Sequence, residues 1–263
     1  MVRVAIITGG SSGIGLETAK ALAAKGVTVY EFSRREAEFD FMRHICTDVT
    51  DEAQVFAAVA QVIRQEGRID ILINNAGMGI SGAFEFTEEA DARRLMDVNL
   101  FGMNNMIRAV LPHMRKAGSG RIVNLSSVAG PLPIPFQAWY SISKAAVNAL
   151  TMAVANEVKP YGVSVCSVMP GDIKTGFTAA RKKSIAGNDA YGGRIERSVS
   201  RMEKDEQNGM KPEIAGRFIA KLALKKRVKP YNTIGFIYKC CVLLSKILPG
   251  KLVRFVLGIM YGG

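Results

Sequence analysis

Residues 2–15 read Val2-Arg3-Val4-Ala5-Ile6-Ile7-Thr8-Gly9-Gly10-Ser11-Ser12-Gly13-Ile14-Gly15. The apolar run from Val2 to Ile7 is the pattern of a short buried strand. It breaks into a turn with glycines at 9, 13 and 15, and from Leu16 to Lys25 apolar residues recur at helical spacing. A strand, a glycine turn and a helix N-terminus make a phosphate cradle: bare backbone lets a pyrophosphate approach, and the helix dipole favours its charge. The competing reading of these glycines is a tight structural turn.

The rest of the chain repeats the alternation. Strand-like runs fall at 2–8, 27–32, 43–46, 69–74, 120–126, 162–169 and 233–237, with helical patterns at 51–67, 98–117 and 138–160 among them. Such alternation predicts an α/β fold: a doubly wound parallel sheet of about seven strands with helices on both faces. No internal repeat, low-complexity run or linker interrupts it. A length of 263 residues suits one such domain with a sizeable core. We assign that domain to 1–237 and a basic amphipathic extension to 238–263. The stretch from Ser33 to His44 is short for a crossover helix, so an abbreviated connection is expected there.

The chemistry is concentrated in Tyr140-Ser141-Ile142-Ser143-Lys144, with Ser127 thirteen residues before the tyrosine. A spacing of four puts the phenol and the ammonium on one face of a helix. A phenol titrates near pH ~10 in water, and a nearby positive charge favours the phenolate. Such a tyrosine can hand a proton to a developing alkoxide or take one from an alcohol. Ser127 could donate a second hydrogen bond to the same oxygen. Taken alone, a Tyr–Lys pair at this spacing is an ordinary solvated helix face.

The ordered set of motifs is what carries a resemblance. T-G-x-x-x-G-x-G at 8–15, Asp48-Val49, Asn74-Asn75-Ala76-Gly77, Val98-Asn99, the Ser127/Tyr140/Lys144 set and Pro170-Gly171 with Thr175 occur in one order. The chain resembles the short-chain dehydrogenase/reductase family over residues 2–176, and more loosely to about 237. The resemblance implies a Rossmann fold, a nicotinamide cofactor and reversible interconversion of a secondary alcohol and a ketone, or of an alcohol and an aldehyde. It implies Tyr140 as acid/base, Lys144 as the group that lowers the tyrosine pKa and bonds the nicotinamide ribose, Ser127 as the group that orients the carbonyl, and Asn99 as the holder of a relay water. Asn99 also reads as a strand-to-helix cap. For the cofactor it implies Gly9, Ser11, Ser12, Gly13, Ile14 and Gly15 in the cradle, and Asp48 and Val49 at the adenine. Asn75, Ala76 and Gly77 would form the floor. Pro170, Gly171, Ile173 and Thr175 would lie by the nicotinamide, and Tyr140 and Lys144 by its ribose.

Charge selects between cofactors. An acid at the end of the second strand would bond a free ribose 2′-OH. That place, seven residues after Gly26, is held by Ser33, followed by Arg34. A hydroxyl and a guanidinium suit a 2′-phosphate, so NADP(H) is expected over NAD(H), with Glu31 facing away from the cofactor.

Cys46, Cys166, Cys240 and Cys241 show neither metal spacing nor a disulfide framework. Cys46 and Cys166 read as core. His44 and His113 read as structural, Met96, Met103, Met106 and Met114 as helix packing, and no metal is expected. No signal peptide precedes the first strand, which points to the cytoplasm. Residues 176–210 carry a charged helical stretch from Arg194 to Gln207. In the family this segment is a mobile lid; an ordinary surface hairpin is the alternative. Met78, Ile80, Pro131 to Phe136 and Phe177 would wall an apolar pocket, favouring a hydrophobic small molecule such as a steroid, retinoid or lipid.

Net charge is +12. From Lys211 onward there are eleven Lys/Arg and a single acid, Glu213, so ten of those twelve charges are local. No nucleic-acid motif accompanies them, and nucleic-acid binding is not expected. The tail after 237 is apolar with interspersed Lys239, Lys246, Lys251 and Arg254, divided by Pro249-Gly250. It could lie on an anionic membrane as a peripheral contact, pack on the domain and cap the cleft, or be buried in a homo-oligomer. Two further readings share the motifs: a 3-oxoacyl-carrier-protein reductase, whose family usually ends soon after its last strand, and a non-catalytic cofactor-sensing module.

Overall fold

The computed structural model describes residues 2–262. Seven parallel strands form one sheet: β1 (Val4–Thr8), β2 (Thr28–Ser33), β3 (Arg43–Cys46), β4 (Ile71–Asn74), β6 (Gly120–Leu125), β7 (Val163–Met169) and β9 (Tyr231–Thr233), in the order 3-2-1-4-6-7-9. Two short strands, β5 (Ile80–Ser81) and β8 (Lys182–Lys183), pair separately. The helices are α1 (Gly13–Ala23), α2 (Glu52–Glu66), α3 (Glu89–Met96), α4 (Gly102–Lys116), α5 (Ala138–Val158), α6 (Phe177–Ala180), α7 (Arg194–Gln207), α8 (Pro212–Leu224), α9 (Phe236–Ile247) and α10 (Gly250–Tyr261). No helix lies between β2 and β3, as the short spacing implied.

Every residue of the central strands β1 and β4 is buried, and nearly all are apolar, because both faces of the sheet are covered. Along β1, successive side chains serve opposite cores. Val4 and Ile6 join Leu72, Ile122 and Val147 on one face. Ala5 and Ile7 join Leu22, Ile73 and Ile219 on the other. Helix α2 starts at Asp51, whose carboxylate accepts the Gln54 N–H at 3.0 Å, and stops at Gly67 in the left-handed region. Helices α1 and α8 meet closely at Gly216, where a Cβ would lie 2.5 Å from the Glu17 carbonyl carbon.

Two expectations need correction. The last strand is Tyr231–Thr233, and the apolar run beyond it is helix α9 from Phe236. The cause is Gly235, whose φ of +90° turns the chain out of the sheet. Cys46 is exposed, because β3 is the edge strand, and its Sγ lies 3.3 Å from the Arg34 carbonyl oxygen. Among the described residues no helix is long and apolar enough to cross a membrane.

Candidate active site

After β3 the chain returns to β4, on the other side of β1, so the strand order reverses between β1 and β4. Ligands in such sheets bind beyond the carboxyl ends of the strands at that point. A cleft of about 830 Å³ opens there. The two strand ends are laced together. Asn75 Nδ2 donates to the carbonyls of Thr8 (3.0 Å) and Gly9 (2.9 Å), and Thr8 Oγ1 accepts the N–H groups of Asn75 and Ala76, both at 3.0 Å. Gly13 takes φ +55° at the start of α1. A Cβ on Gly15 would fall 2.4 Å from Asn75 Nδ2 and 2.5 Å from the Gly9 oxygen. The glycine spacing is therefore required by this turn.

Nearly every residue expected at the cofactor lines this one cleft: Gly9, Ser11, Ser12, Gly13, Ile14, Ser33, Arg34, Asp48, Val49, Asn75, Ala76, Gly77, Tyr140, Lys144, Pro170, Gly171, Ile173 and Thr175. Gly15 instead sits behind the turn. A bare-backbone cradle at a helix N-terminus, running to a Tyr–Lys pair, fits a dinucleotide. Near the β2 end the acid Glu31 is fully buried. Its carboxylate accepts from Gly10 N (2.9 Å) and Ser33 Oγ (3.1 Å) and meets His44 Nδ1 at 2.5 Å. These partners hold Glu31 under the glycine turn, while Ser33 and the exposed Arg34 face the cleft.

Tyr140 and Lys144 sit one turn apart on α5. Lys144 Nζ donates to the Leu125 carbonyl at 2.8 Å and lies 5.7 Å from the Tyr140 ring centroid. The Ser126 hydroxyl is committed to the Lys144 carbonyl at 2.9 Å. Ser127 Oγ accepts the Ala129 N–H at 3.1 Å and lines the cleft beside Tyr140. Against the expectation that Lys144 lowers it, burial pushes the Tyr140 phenol up to about 12, with the Ser127 hydrogen bond and the Arg181 charge pulling the other way. Burial pulls Lys144 down to about 8.

Asn99 is fully buried behind the cleft. It lies in a single π-helical turn, Asp97–Phe101, joining α3 to α4, and so does not cap a strand-to-helix junction. Its amide clamps the Met78 peptide, accepting that N–H at 2.8 Å and donating to its carbonyl at 3.0 Å, and also reaches Ser143 Oγ at 3.1 Å. A Cβ on Gly77 would stand 3.2 Å from Asn99 Oδ1 and 3.7 Å from Lys144 Nζ. Asn99 and Lys144 thus approach Gly77 from the same side. π-turns inside α-helices are frequent at functional sites.

Of the expected apolar wall, Met78, Ile134 and Phe177 line the cleft, joined by Ala180. Ile80 is tied into β5, and Phe136, at φ +58°, packs edge-on against Tyr191 of the 176–210 segment. Two acids absent from the sequence-based set also line the cleft, Asp172 and Glu206. Glu206 pairs with the buried Arg181 and accepts from Thr178 Oγ1 at 2.6 Å. Asp172 Oδ2 accepts the Tyr238 hydroxyl at 2.6 Å, and burial raises its carboxyl pKa. Position 172, inside the Pro170–Thr175 motif, was the one available hint.

A doubly wound parallel sheet with a Tyr–Lys pair at its switch-point cleft defines a dinucleotide-dependent oxidoreductase as the class of protein. The chain belongs to the short-chain dehydrogenase family, whose model matches residues 3–186. It is 42% identical over 264 residues, covering 98% of each chain, to the 3-ketodihydrosphingosine reductase of Bacteroides thetaiotaomicron. A short-chain dehydrogenase from Streptomyces avermitilis superposes with a TM-score of 0.84 at 32% identity, over 98% of this chain and 95% of that one. The 3-ketoacyl-(acyl-carrier-protein) reductase of Brucella melitensis, solved with NADH, follows with a TM-score of 0.75 at 27% identity, over 88% and 96% of the two chains.

Proposed function

We propose that the protein is an NADP(H)-dependent reductase that converts the ketone of a long-chain lipid to a secondary alcohol. Its substrate in this reading is a 2-amino-3-ketone of the kind for which the Bacteroides relative is named. The observation that carries the reading is one cleft with Tyr140 at its head, Met78, Ile134 and Phe177 on its wall and the carboxylate of Asp172 beside them. Such a wall accepts an alkyl chain, and the Asp172 carboxylate beside it complements an ammonium next to the carbonyl. In this reading 1–237 is the catalytic unit, 176–210 its lid and 238–263 an extension in peripheral contact with a membrane. The enzyme is taken to be a cytoplasmic homo-oligomer.

NADPH, held by the turn from Gly9 to Ile14 and by Ser33 and Arg34, would supply the hydride for the carbonyl carbon. As negative charge grows on the carbonyl oxygen, Tyr140 gives it the phenolic proton. Ser127 donates a hydrogen bond to the same oxygen, as an oxyanion donor does. The Lys144 ammonium stabilises the phenolate left behind, and Asn99 holds the Met78 peptide and the water through which the proton is replaced. Hydride plus proton account for the alcohol formed.

The pH profile follows from these groups. Tyr140, near 12, stays protonated across the usual assay range. Lys144, near 8, loses its charge as pH rises through that value. We expect kcat/KM for reduction to fall on the alkaline side with an apparent pKa near 8. A profile flat from about pH 6 to about pH 10 would contradict the role given to Lys144.

The substrate assignment is tested by NADPH oxidation at 340 nm with 3-ketodihydrosphingosine and with an uncharged ketone of equal chain length. Losing a charge-assisted bond costs about 1.5–3 kcal/mol, so Asp172→Asn should raise KM for the amino ketone roughly ten- to a hundredfold. KM for the uncharged ketone should stay unchanged. Turnover confined to acetoacetyl thioesters would favour a carrier-protein reductase and remove the lipid reading.

A further inference from the structure

Helices α9 and α10, 12 residues each, turn their apolar sides outward. On α10, Leu252, Phe255, Val256, Ile259 and Met260 are exposed. Their spacing of three and four places them on one stripe. Val253, Leu257 and Tyr261, on the opposite side, face the protein and are less exposed. On α9, Phe236, Ile237, Leu243, Leu244 and Ile247 are exposed, Phe236 by 80% and Ile247 by 71%, while Val242 is buried. An ordinary surface helix buries its apolar stripe, so this pair is built the other way round.

We propose that α9 and α10 form a docking surface for an anionic lipid bilayer. Four exposed cations, Lys239, Lys246, Lys251 and Arg254, flank the apolar stripes, and residues 236–261 contain no acid. Basic side chains bordering an outward apolar face are the pattern of a helix that lies in the lipid interface. A second copy of the chain is a poorer occupant. A two-fold contact through this face would set these cations against each other with no carboxylate on either side. Each helix is far too short to span a bilayer but long enough to lie flat on one, with the break at Pro249-Gly250.

The surface is also attached to the cleft. Tyr238 of α9 donates to Asp172, and its ring covers Gly171, where a Cβ would meet it at 2.2 Å. At the end of α10, the carbonyls of Tyr261 and Gly262 accept from Ser198 (2.5 Å) and Arg194 (2.7 Å) of α7. A bilayer under α9 and α10 therefore lies against the elements that carry the substrate wall and the lid. The docking inference stands without the substrate reading, since it needs only the exposed face and its charge.

The test is flotation of the full-length protein with vesicles of phosphatidylcholine, alone and mixed with phosphatidylglycerol. We expect binding to the mixed vesicles, weaker binding to phosphatidylcholine alone and release by salt. The double substitution Phe255→Ser and Ile259→Ser should weaken partition about tenfold or more. Exchanging Lys246 and Arg254 for Gln should weaken it about tenfold as well, for the anionic vesicles only. Turnover of a short water-soluble ketone should be the same in both variants, showing that they are folded. Failure of the unaltered protein to float with anionic vesicles would overturn the proposal. So would unchanged flotation of both variants, or a dimer in solution that the same substitutions dissociate without any vesicle binding.

Discussion

Replacing Tyr140 by phenylalanine is expected to lower kcat for ketone reduction by about 10²–10⁴-fold, the usual worth of a positioned acid or base. The cleft makes the reason specific. The half-buried Tyr140 lies beside Ser127, Phe177 and Lys144, with ring centroids of Tyr140 and Phe177 5.9 Å apart. Phenylalanine keeps that ring and the packing and removes only the O–H. The oxygen of the substrate would then gain charge with Ser127 as its single donor. Binding of NADPH, followed by fluorescence titration, should change by less than about threefold, because the cradle from Gly9 to Gly15 is untouched. The substitution should act on kcat and hardly on KM, the mark of an interaction made in the transition state. A variant that retained full turnover would remove Tyr140 from the mechanism.

The second large effect is expected at the far end of the cleft. The unaltered protein should prefer NADPH to NADH by tenfold or more in kcat/KM. The double substitution Ser33→Asp and Arg34→Ala should reverse that preference by about a hundredfold or more. The guanidinium would forfeit a charge-assisted bond to phosphate worth about 1.5–3 kcal/mol. The new carboxylate would repel the 2′-phosphate and accept from a free 2′-OH. Glu31 does not supply that acid already, since its carboxylate is held by Gly10, Ser33 and His44. A tenfold preference of the unaltered chain for NADH would contradict the cofactor assignment.

The sheet was legible where strands are buried on both faces. Val4–Ile7 and Ile71–Ile73 are continuous apolar runs bounded by turn residues, the pattern of a parallel strand buried on both faces. Legibility failed at the sheet edges. β3 has one open side, so Cys46 could be apolar in type yet exposed. After Thr233 a short apolar run fits strand and helix equally well, and the decision rests on the dihedral of Gly235. In the cleft, the residues named from motifs sit on or beside strand ends that the sheet itself brings together. Asp172, Glu206 and Tyr238 were beyond reach for a different reason. They meet only because α7 and α9 fold back over the strand ends, and the Asp172–Tyr238 bond joins residues 66 apart. The amphipathic period of the tail was visible too. Which side of it meets the protein was not, because the period alone does not say where the apolar stripe points.

The most direct test of the account is transfer of a label. NADPH carrying deuterium at the reactive C4 position is incubated with 3-ketodihydrosphingosine and the protein, and the product is examined by mass spectrometry. The account predicts an amino alcohol heavier by one deuterium, fixed on the carbon that was the ketone, formed by the unaltered protein and almost absent with Tyr140→Phe. Product without the label, or label transfer that is equally fast in the phenylalanine variant, would contradict it.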